Sequence, residues 1–284
     1  MSASDVALIT GASSGFGLLT AVELARAGLR VFASMRDPSR ADRLRAALAE
    51  ARVEATVVQL DVTDPASIDR AVAEVEGAAG RIDVVVNNAG YGLGGAVEDL
   101  AMDELRAQFE TNFFGLVAVT KAVLPGMRER RHGRIINVSS VSGRVAFPGM
   151  AAYSSSKFAV EGFSESLRHE LLPFGVYVVL IEPGTFRTDI FDRNRRVAAR
   201  SQDPGSPWAE VTRRMTELVD RRVERSTADP RDVARAIAEA VTAPRPPLRT
   251  VVGSGARAQA IVKSLMPPRL WETAVGRVTG LAKL

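Results

Sequence analysis

The stretch TGASSGFG, residues 10–17, decides how the rest of the chain is read. It follows a short apolar run, VALIT (6–10), and opens onto LLTAVELARAG (18–28), whose apolar spacing is helical and which ends at a glycine. Strand, glycine-rich turn and helix in that order gather backbone N–H groups and the positive end of a helix dipole at one point. Gly11, Gly15 and Gly17 follow a G-x-x-x-G-x-G spacing instead of the commoner G-x-G-x-x-G. The physics is the same, because absent side chains let the backbone approach a pyrophosphate. Any tight turn also favours glycine, so the strand before and the helix after are what point this one toward a dinucleotide.

Outward from the turn, apolar runs recur: RVFASM (30–35), ATVVQLD (55–61), IDVVVNNAG (82–90), RIINVSS (134–140), VYVVLIEPG (176–184) and LRTVVGSG (248–255). Each is short, rich in Val and Ile and bounded by Gly, Pro, Asp or Asn, as strands buried on both faces are. Helical patterns lie between them, the longest being MDELRAQFETNFFGLVAVTKAVLPGM (102–127). The alternation predicts an α/β fold, a doubly wound parallel sheet of about seven strands with right-handed crossovers. No linker divides the chain, so residues 1–284 are expected to form a single domain. Two segments break the rhythm: an insertion at 185–228, expected to be a lid or binding segment, and an extension at 256–284, expected to pack on the core, with closing the substrate pocket or touching a membrane surface as the alternatives.

Composition narrows the chemistry. Of 284 residues 46% are hydrophobic and 25% charged, as in an ordinary globular protein. There is no cysteine, which excludes disulfides and thiolate chemistry. His132 and His169 belong to no ligand spacing, so no metal site is expected. The densest basic stretch, Arg187 to Arg225, holds ten arginines and seven acids; it reads as mixed solvated charge, not as a nucleic-acid surface. RERRHGR (128–134) is read as a turn. The N-terminus enters a strand with no basic and apolar leader, no run is long enough to span a membrane, and the expected location is cytoplasmic.

The end of the second strand chooses between cofactors. An acid there accepts the ribose 2′-OH of NAD, whereas a basic residue accommodates the 2′-phosphate of NADP. RVFASM is followed by Arg36 and Asp37. Asp37 precedes Pro38 and is explained as a helix cap. Arg36 has no such explanation, and a guanidinium matches phosphate geometry, so NADP is favoured, with NAD the alternative.

Seven motifs then follow in order: TGASSGFG, LDV (60–62), NNAG (87–90), TNFFG (111–115), the serines 139–140, YSSSK (153–157) and PGTFRT (183–188). With them the chain resembles the short-chain dehydrogenase/reductase family over residues 5 to about 255, nearest the branch of hydroxysteroid and retinol dehydrogenases. The resemblance implies a Rossmann-like fold and an oxidoreductase that interconverts an alcohol and a ketone or aldehyde. It implies cofactor contacts at Gly11, Ser13, Ser14, Gly15, Phe16, Gly17 and Arg36. It implies others at Asp61, Val62, Asn88, Ala89, Gly90, Pro183, Gly184, Phe186 and Thr188. Asn112, Ser140, Tyr153 and Lys157 match its catalytic group, and Tyr153 and Lys157 also touch cofactor.

These residues have a chemical logic. Reducing a carbonyl needs hydride from one side and a proton delivered to the oxygen, and Tyr153 is the expected donor. A free phenol titrates near about 10, and lowering it by three units takes about 4 kcal/mol. Lys157, four residues on and on the same helix face, supplies roughly that if its ammonium lies about 4 Å away at an effective dielectric near 20. Ser140 is expected to orient the substrate oxygen, and Asn112 to anchor a water that links Lys157 to solvent.

Tyr91, Leu93, Val145, Phe147, Met150, Phe186, Phe191 and Trp208 are expected around the substrate, which would then be largely apolar. A 3-oxoacyl-thioester reductase, or a binding protein that senses NADP without turnover, is the rival reading. The full Ser–Tyr–Lys–Asn set argues against the latter. Phe109, Phe113, Val117, Phe163 and Leu167, on helices at 102–127 and 153–172, are expected to join two copies in a homodimer or a tetramer.

Overall fold

Buried residues alternate sides along the first strand, and that alternation builds both layers of the molecule. Ala7 and Ile9 face one helical layer, whereas Val6 and Leu8 face the other. A strand covered on both sides has no polar face, which is why the runs read as continuous apolar stretches. The computed structural model describes residues 5–191, 193–253 and 255–281. The expected bounds of 1–284 and 256–284 reach beyond these residues, and the side chain of Phe191 also lies outside them.

The strands are β1 Val6–Ile9, β2 Arg30–Met35, β3 Thr56–Gln59, β4 Val84–Asn87, β5 Gly92–Gly94, β6 Gly133–Val138, β7 Val176–Pro183, β8 Arg195–Val197 and β9 Arg249–Val252. Seven of them form one sheet in the order β3-β2-β1-β4-β6-β7-β9, with every neighbour parallel. The sequence run at 248–255 thus closes one edge. The order reverses between β1 and β4, and a doubly wound sheet opens its binding crevice at the carboxyl ends there.

One helical layer contains α1 Gly15–Arg26, α2 Asp42–Ala51 and α8 Arg231–Thr242; the other contains α3 Pro65–Ala79, α5 Gly115–Arg130 and α6 Ala151–Leu171. Leu24, Leu44, Val233 and Ile237 anchor the first, and Ile68, Val75, Val119 and Val123 the second. Local chemistry starts these helices where the sequence directs. Asp64 accepts from the Ala66 N–H at 2.9 Å with Pro65 in the first helical position. Gly28, at φ +86°, follows the end of α1 as its spacing requires.

One feature departs from the sequence reading and two add detail to it. The long helix expected at 102–127 is α4 Met102–Phe109, a π-helical turn Glu110–Phe114 and then α5. The insertion is ordered: β8 pairs with β5 in a second, two-stranded parallel sheet, and α7 spans Ala209–Glu224. Both strands are three residues long, too short for periodicity to reveal. The extension forms α9 Ala256–Leu265 and α10 Pro268–Thr279. It packs on the rest of the chain through Ala256, Ala260, Trp271 and Thr279.

Candidate active site

The glycine turn between β1 and α1 is held from below by β4. Thr10 Oγ1 accepts from the N–H groups of Asn88 and Ala89, at 3.0 and 3.1 Å. The Asn88 side-chain amide donates to the carbonyls of Thr10 and Gly11, at 2.9 and 3.0 Å. Gly11 and Gly15 take positive φ, +69° and +56°. Gly17 has a different duty from the one expected. A Cβ there would lie 2.4 Å from the Gly11 carbonyl oxygen and 2.5 Å from Asn88 Nδ2, and Gly17 does not line the cavity above the turn. Its missing side chain lets α1 pack on the loop; Gly11, Ser13, Ser14, Gly15 and Phe16 are the ones that face the opening.

At the end of β2, Arg36 is exposed, lines the same cavity and has no acidic partner within salt-bridge distance among the described residues. Asp37 is the cap the sequence predicts, accepting from Ser39 N–H at 3.0 Å. Hydrogen bonds from Ser39 hold its carboxyl below the usual range. Asp61 and Val62 line the wall of the same cavity, and Val62 sits where α5 begins with Gly115, a residue whose Cβ would fall 2.7 Å from the Val62 carbonyl oxygen.

The reactive group forms where β6 and α6 meet. Ser140 leaves the end of β6, and its hydroxyl accepts from Ser142 N–H at 3.1 Å. Tyr153 and Lys157 stand on successive turns of α6, 7% and 5% exposed. The Lys157 ammonium donates to the Val138 carbonyl at 2.8 Å and lies 5.9 Å from the Tyr153 ring centroid. Burial pushes the phenol up to about 12, against a hydrogen bond with Ser140 that lowers it. Burial also brings the lysine down to about 8, while the nearby Glu161 carboxylate raises it. The expected lowering of the phenol is therefore not built into the protein's resting arrangement. Removing both groups from water disfavours both charged forms, and one of the lysine's three N–H groups goes to a carbonyl.

Behind Lys157 lies an ionic cluster that no sequence motif marks. Glu161, one turn further along α6, pairs with Arg249 at 3.0 Å. Arg249 and Arg144 each stand 3.4 Å from Glu182, a fully buried acid whose carboxyl burial raises. Asn112, in the π-helical turn, is 1% exposed and does not line the cavity. Its amide is fully engaged: it accepts from Tyr91 N–H at 3.1 Å and donates to the Tyr91 carbonyl at 3.0 Å and to Ser156 Oγ at 3.2 Å. The side chain thus splices the turn after β4 to α6.

One continuous cavity of about 1180 Å³ runs from Arg36 past Tyr153 to α7. Asn88, Ala89, Gly90, Pro183, Gly184 and Thr188 border its middle. Phe186 does not; it is fully buried, with its ring edge-on to Phe16 at 5.5 Å. Of the expected substrate residues, Tyr91, Val145, Phe147 and Met150 line the far half. Leu93 is core beneath Tyr91, and Trp208 points away, its indole N–H donating to Glu98 at 2.6 Å.

Sequence reasoning missed Arg40, Asp189, Met215 and Arg196 on the wall. Asp189 ties the insertion to α2 through Arg43 at 2.9 Å. Its carboxyl is raised by burial but held low overall by hydrogen bonds from Arg193, Ser14 and Arg43. The Arg196 guanidinium lies 4.3 Å from the Tyr91 ring centroid. The amphipathic pattern of α7 is the only signal that could have located Met215.

A doubly wound sheet with a glycine turn, a Ser–Tyr–Lys group and one shared cavity defines a dinucleotide-binding oxidoreductase architecture. The chain belongs to the short chain dehydrogenase family, whose pattern it matches over residues 5–198, and it is an oxidoreductase of that family. It is 42% identical over 271 residues to the uncharacterized oxidoreductase YusZ of Bacillus subtilis, covering 94% of this chain and 96% of that one. It is 41% identical over 249 residues to a 3-ketodihydrosphingosine reductase of Bacteroides thetaiotaomicron, covering 88% of each. It is 40% identical over 250 residues to human retinol dehydrogenase 8, covering 85% of this chain and 79% of that one. Among solved structures, a short-chain dehydrogenase from Streptomyces avermitilis superposes with a TM-score of 0.82 at 37% identity, covering 98% of each chain. A short-chain dehydrogenase/reductase from Burkholderia phymatum in complex with NAD gives 0.80 at 26% identity, covering 92% and 93%. A variant of actinorhodin polyketide ketoreductase with NADPH gives 0.75 at 35% identity, covering 89% and 97%.

Proposed function

We propose that the chain is an NADP(H)-dependent oxidoreductase that interconverts a secondary alcohol and a ketone, or an aldehyde, on a largely apolar small molecule. The observation that carries this reading is the single cavity on which Arg36, the glycine turn, Ser140, Tyr153, Lys157 and the apolar group Val145, Phe147 and Met150 all open. The residues fit a nicotinamide dinucleotide. Gly15 has open space where a side chain would stand, and the Ser139 and Thr188 hydroxyl oxygens are buried without a partner. Arg36, Arg40 and the turn would hold the phosphates, Asp61 and Val62 the adenine, and Gly184 and Thr188 the nicotinamide end. Two solved relatives carry NAD and NADPH respectively, so the choice of NADP rests on Arg36.

When bound, the nicotinamide supplies or accepts the hydride. The protein's part is the proton and the alignment. Ser140 donates to the substrate oxygen and keeps it within reach of the Tyr153 hydroxyl. A phenol pushed up to about 12 is neutral at pH 7 and carries the proton to be donated, but it is a weak acid until positive charge next to it lowers its pKa. As that proton leaves, the Lys157 ammonium stabilises the phenolate in a site that excludes water. Tyr91, Phe147 and Met150 shape the pocket for apolar substrate. The names of two relatives, a ketosphingoid reductase and a retinol dehydrogenase, agree with that class.

A panel of apolar ketones and alcohols followed by cofactor absorbance tests the reading, with Tyr153→Phe beside the wild type. We expect NADPH-dependent turnover that falls by about 10²-fold or more in the variant, with cofactor binding retained. Activity within tenfold of wild type would sink the assignment of Tyr153.

A further inference from the structure

Helix α9 turns its larger apolar side away from the protein. Only Ala256 and Ala260 are buried on it. Ala258, Ile261, Val262 and Leu265 are exposed, and their i, i+3, i+4, i+7 spacing places them on one face. Ile261 is 49% exposed, Val262 44% and Leu265 78%. A surface helix normally packs such a stripe on the core, and scattered exposed apolar residues need no explanation; a whole stripe does. In α10, Leu270 and Val278 are also exposed, at 60% and 70%, together with Arg269 and Arg277.

Charge distinguishes the possible occupants. The two helices hold four basic residues, Arg257, Lys263, Arg269 and Arg277, and one acid, Glu272. They therefore account for three of the chain's four net positive charges. Lys263 joins them, its ammonium 5.3 Å from the Trp271 ring centroid. A second copy docking through this face would bring like charges together across a twofold axis. An anionic lipid surface would neutralise them and cover the stripe.

We infer that α9 and α10 dock the protein on an anionic membrane surface. Ile261, Val262 and Leu265 enter the headgroup–acyl boundary, and the arginines lie among the phosphates. No helix among the described residues is long and apolar enough to cross a membrane, so the contact is peripheral. The face borders the active cavity. Gln259 of α9 and Val278 and Thr279 of α10 line the cavity rim, and Phe147 inside it packs against Trp271 with centroids 6.1 Å apart. Docking there opens the cavity beside the lipid, where an apolar substrate is concentrated.

Flotation of the full chain with vesicles of phosphatidylcholine, with and without phosphatidylglycerol, tests this without reference to turnover. The wild type should float with the phosphatidylglycerol vesicles, lose that association as salt rises, and remain behind with phosphatidylcholine alone. The double variant Ile261→Ser and Leu265→Ser should lose at least about tenfold in vesicle association with an unchanged unfolding temperature. Arg269→Gln with Arg277→Gln should weaken binding to the anionic vesicles in the same assay. A wild type that fails to float with anionic vesicles at low salt overturns the inference, as does a serine variant that floats equally well. A serine variant that instead lowers the mass by light scattering, with no vesicle binding by wild type, makes the stripe a contact between copies and overturns it too.

Discussion

Replacing Gly17 by alanine should damage the nucleotide turn from behind, without touching the cavity. The new Cβ would fall 2.4 Å from the Gly11 carbonyl oxygen and 2.5 Å from Asn88 Nδ2. Neither neighbour can step aside freely. The first is backbone, and the second is fixed by bonds of 2.9 and 3.0 Å to the Thr10 and Gly11 carbonyls. Relief means lifting the loop or turning the amide, and either breaks those bonds. Overpacking costs about 1–3 kcal/mol, two neutral hydrogen bonds roughly 1 kcal/mol each, and better helix propensity returns about 1 kcal/mol. The net of roughly 2–4 kcal/mol lowers the midpoint of thermal unfolding by roughly 3–8 °C, and NADPH affinity should fall with it. Gly77→Ala, in α3 with nothing within 4 Å of its added Cβ, is the control and should raise the midpoint slightly. Circular dichroism melts and a cofactor fluorescence titration measure both quantities. A Gly17→Ala protein melting within about 2 °C of wild type would refute the close-packing argument.

Arg36→Ala should weaken NADPH ten- to a hundredfold more than NADH, since a charge-assisted contact is worth about 1.5–3 kcal/mol; equal losses would mean that Arg36 only supports its loop. Ketone reduction should fall as pH rises through about 8, where buried Lys157 loses its proton. Glu161→Gln removes the carboxylate that raises the lysine and should move that limb to lower pH; an unmoved limb would dissociate Glu161 from the reaction. Because the folded lysine titrates at about 8 against 10.5 ordinarily, the unfolded chain binds the extra proton between those values, so this group's contribution favours folding increasingly as pH rises across them. Lys157→Met should flatten that rise in a pH series of melts. Light scattering should give a homodimer or tetramer of the 30.4 kDa chain, and Phe114→Asp with Phe158→Asp should split it; a wild-type monomer at micromolar concentration would refute the assembly.

The last of these predictions moves the expected interface to different side chains. Phe113 and Phe163 meet edge to face at 6.0 Å, and Leu167 is 7% exposed, so they are occupied within the chain. Phe114, at 50% on the π-helical turn before α5, and Phe158, at 45% on α6, are large apolar groups left to solvent.

The sheet, its parallel sense, the glycine turn and the Tyr153–Lys157 pair could be read from the sequence, because each depends on local chemistry at short spacing, whereas Ser140 came only with the family resemblance. A strand buried on both faces must be apolar throughout, a turn at φ +69° strongly favours glycine, and two residues four apart on a helix must share a face. Asp37 likewise announces its cap within two residues. What the sequence could not supply depends on groups distant along the chain. Only the assembled fold shows that Gly17 supports Asn88, that Asn112 is consumed by Tyr91, and that Phe186 lies under Phe16 and not in the cavity. Glu161, Arg249 and Glu182 meet from three separate elements, and burial, which no motif encodes, brings down the lysine beside Glu161. The stripe on α9 has the spacing of a core helix, and sequence spacing cannot tell which side of a helix its neighbours will cover; the tertiary structure decided that it faces outward.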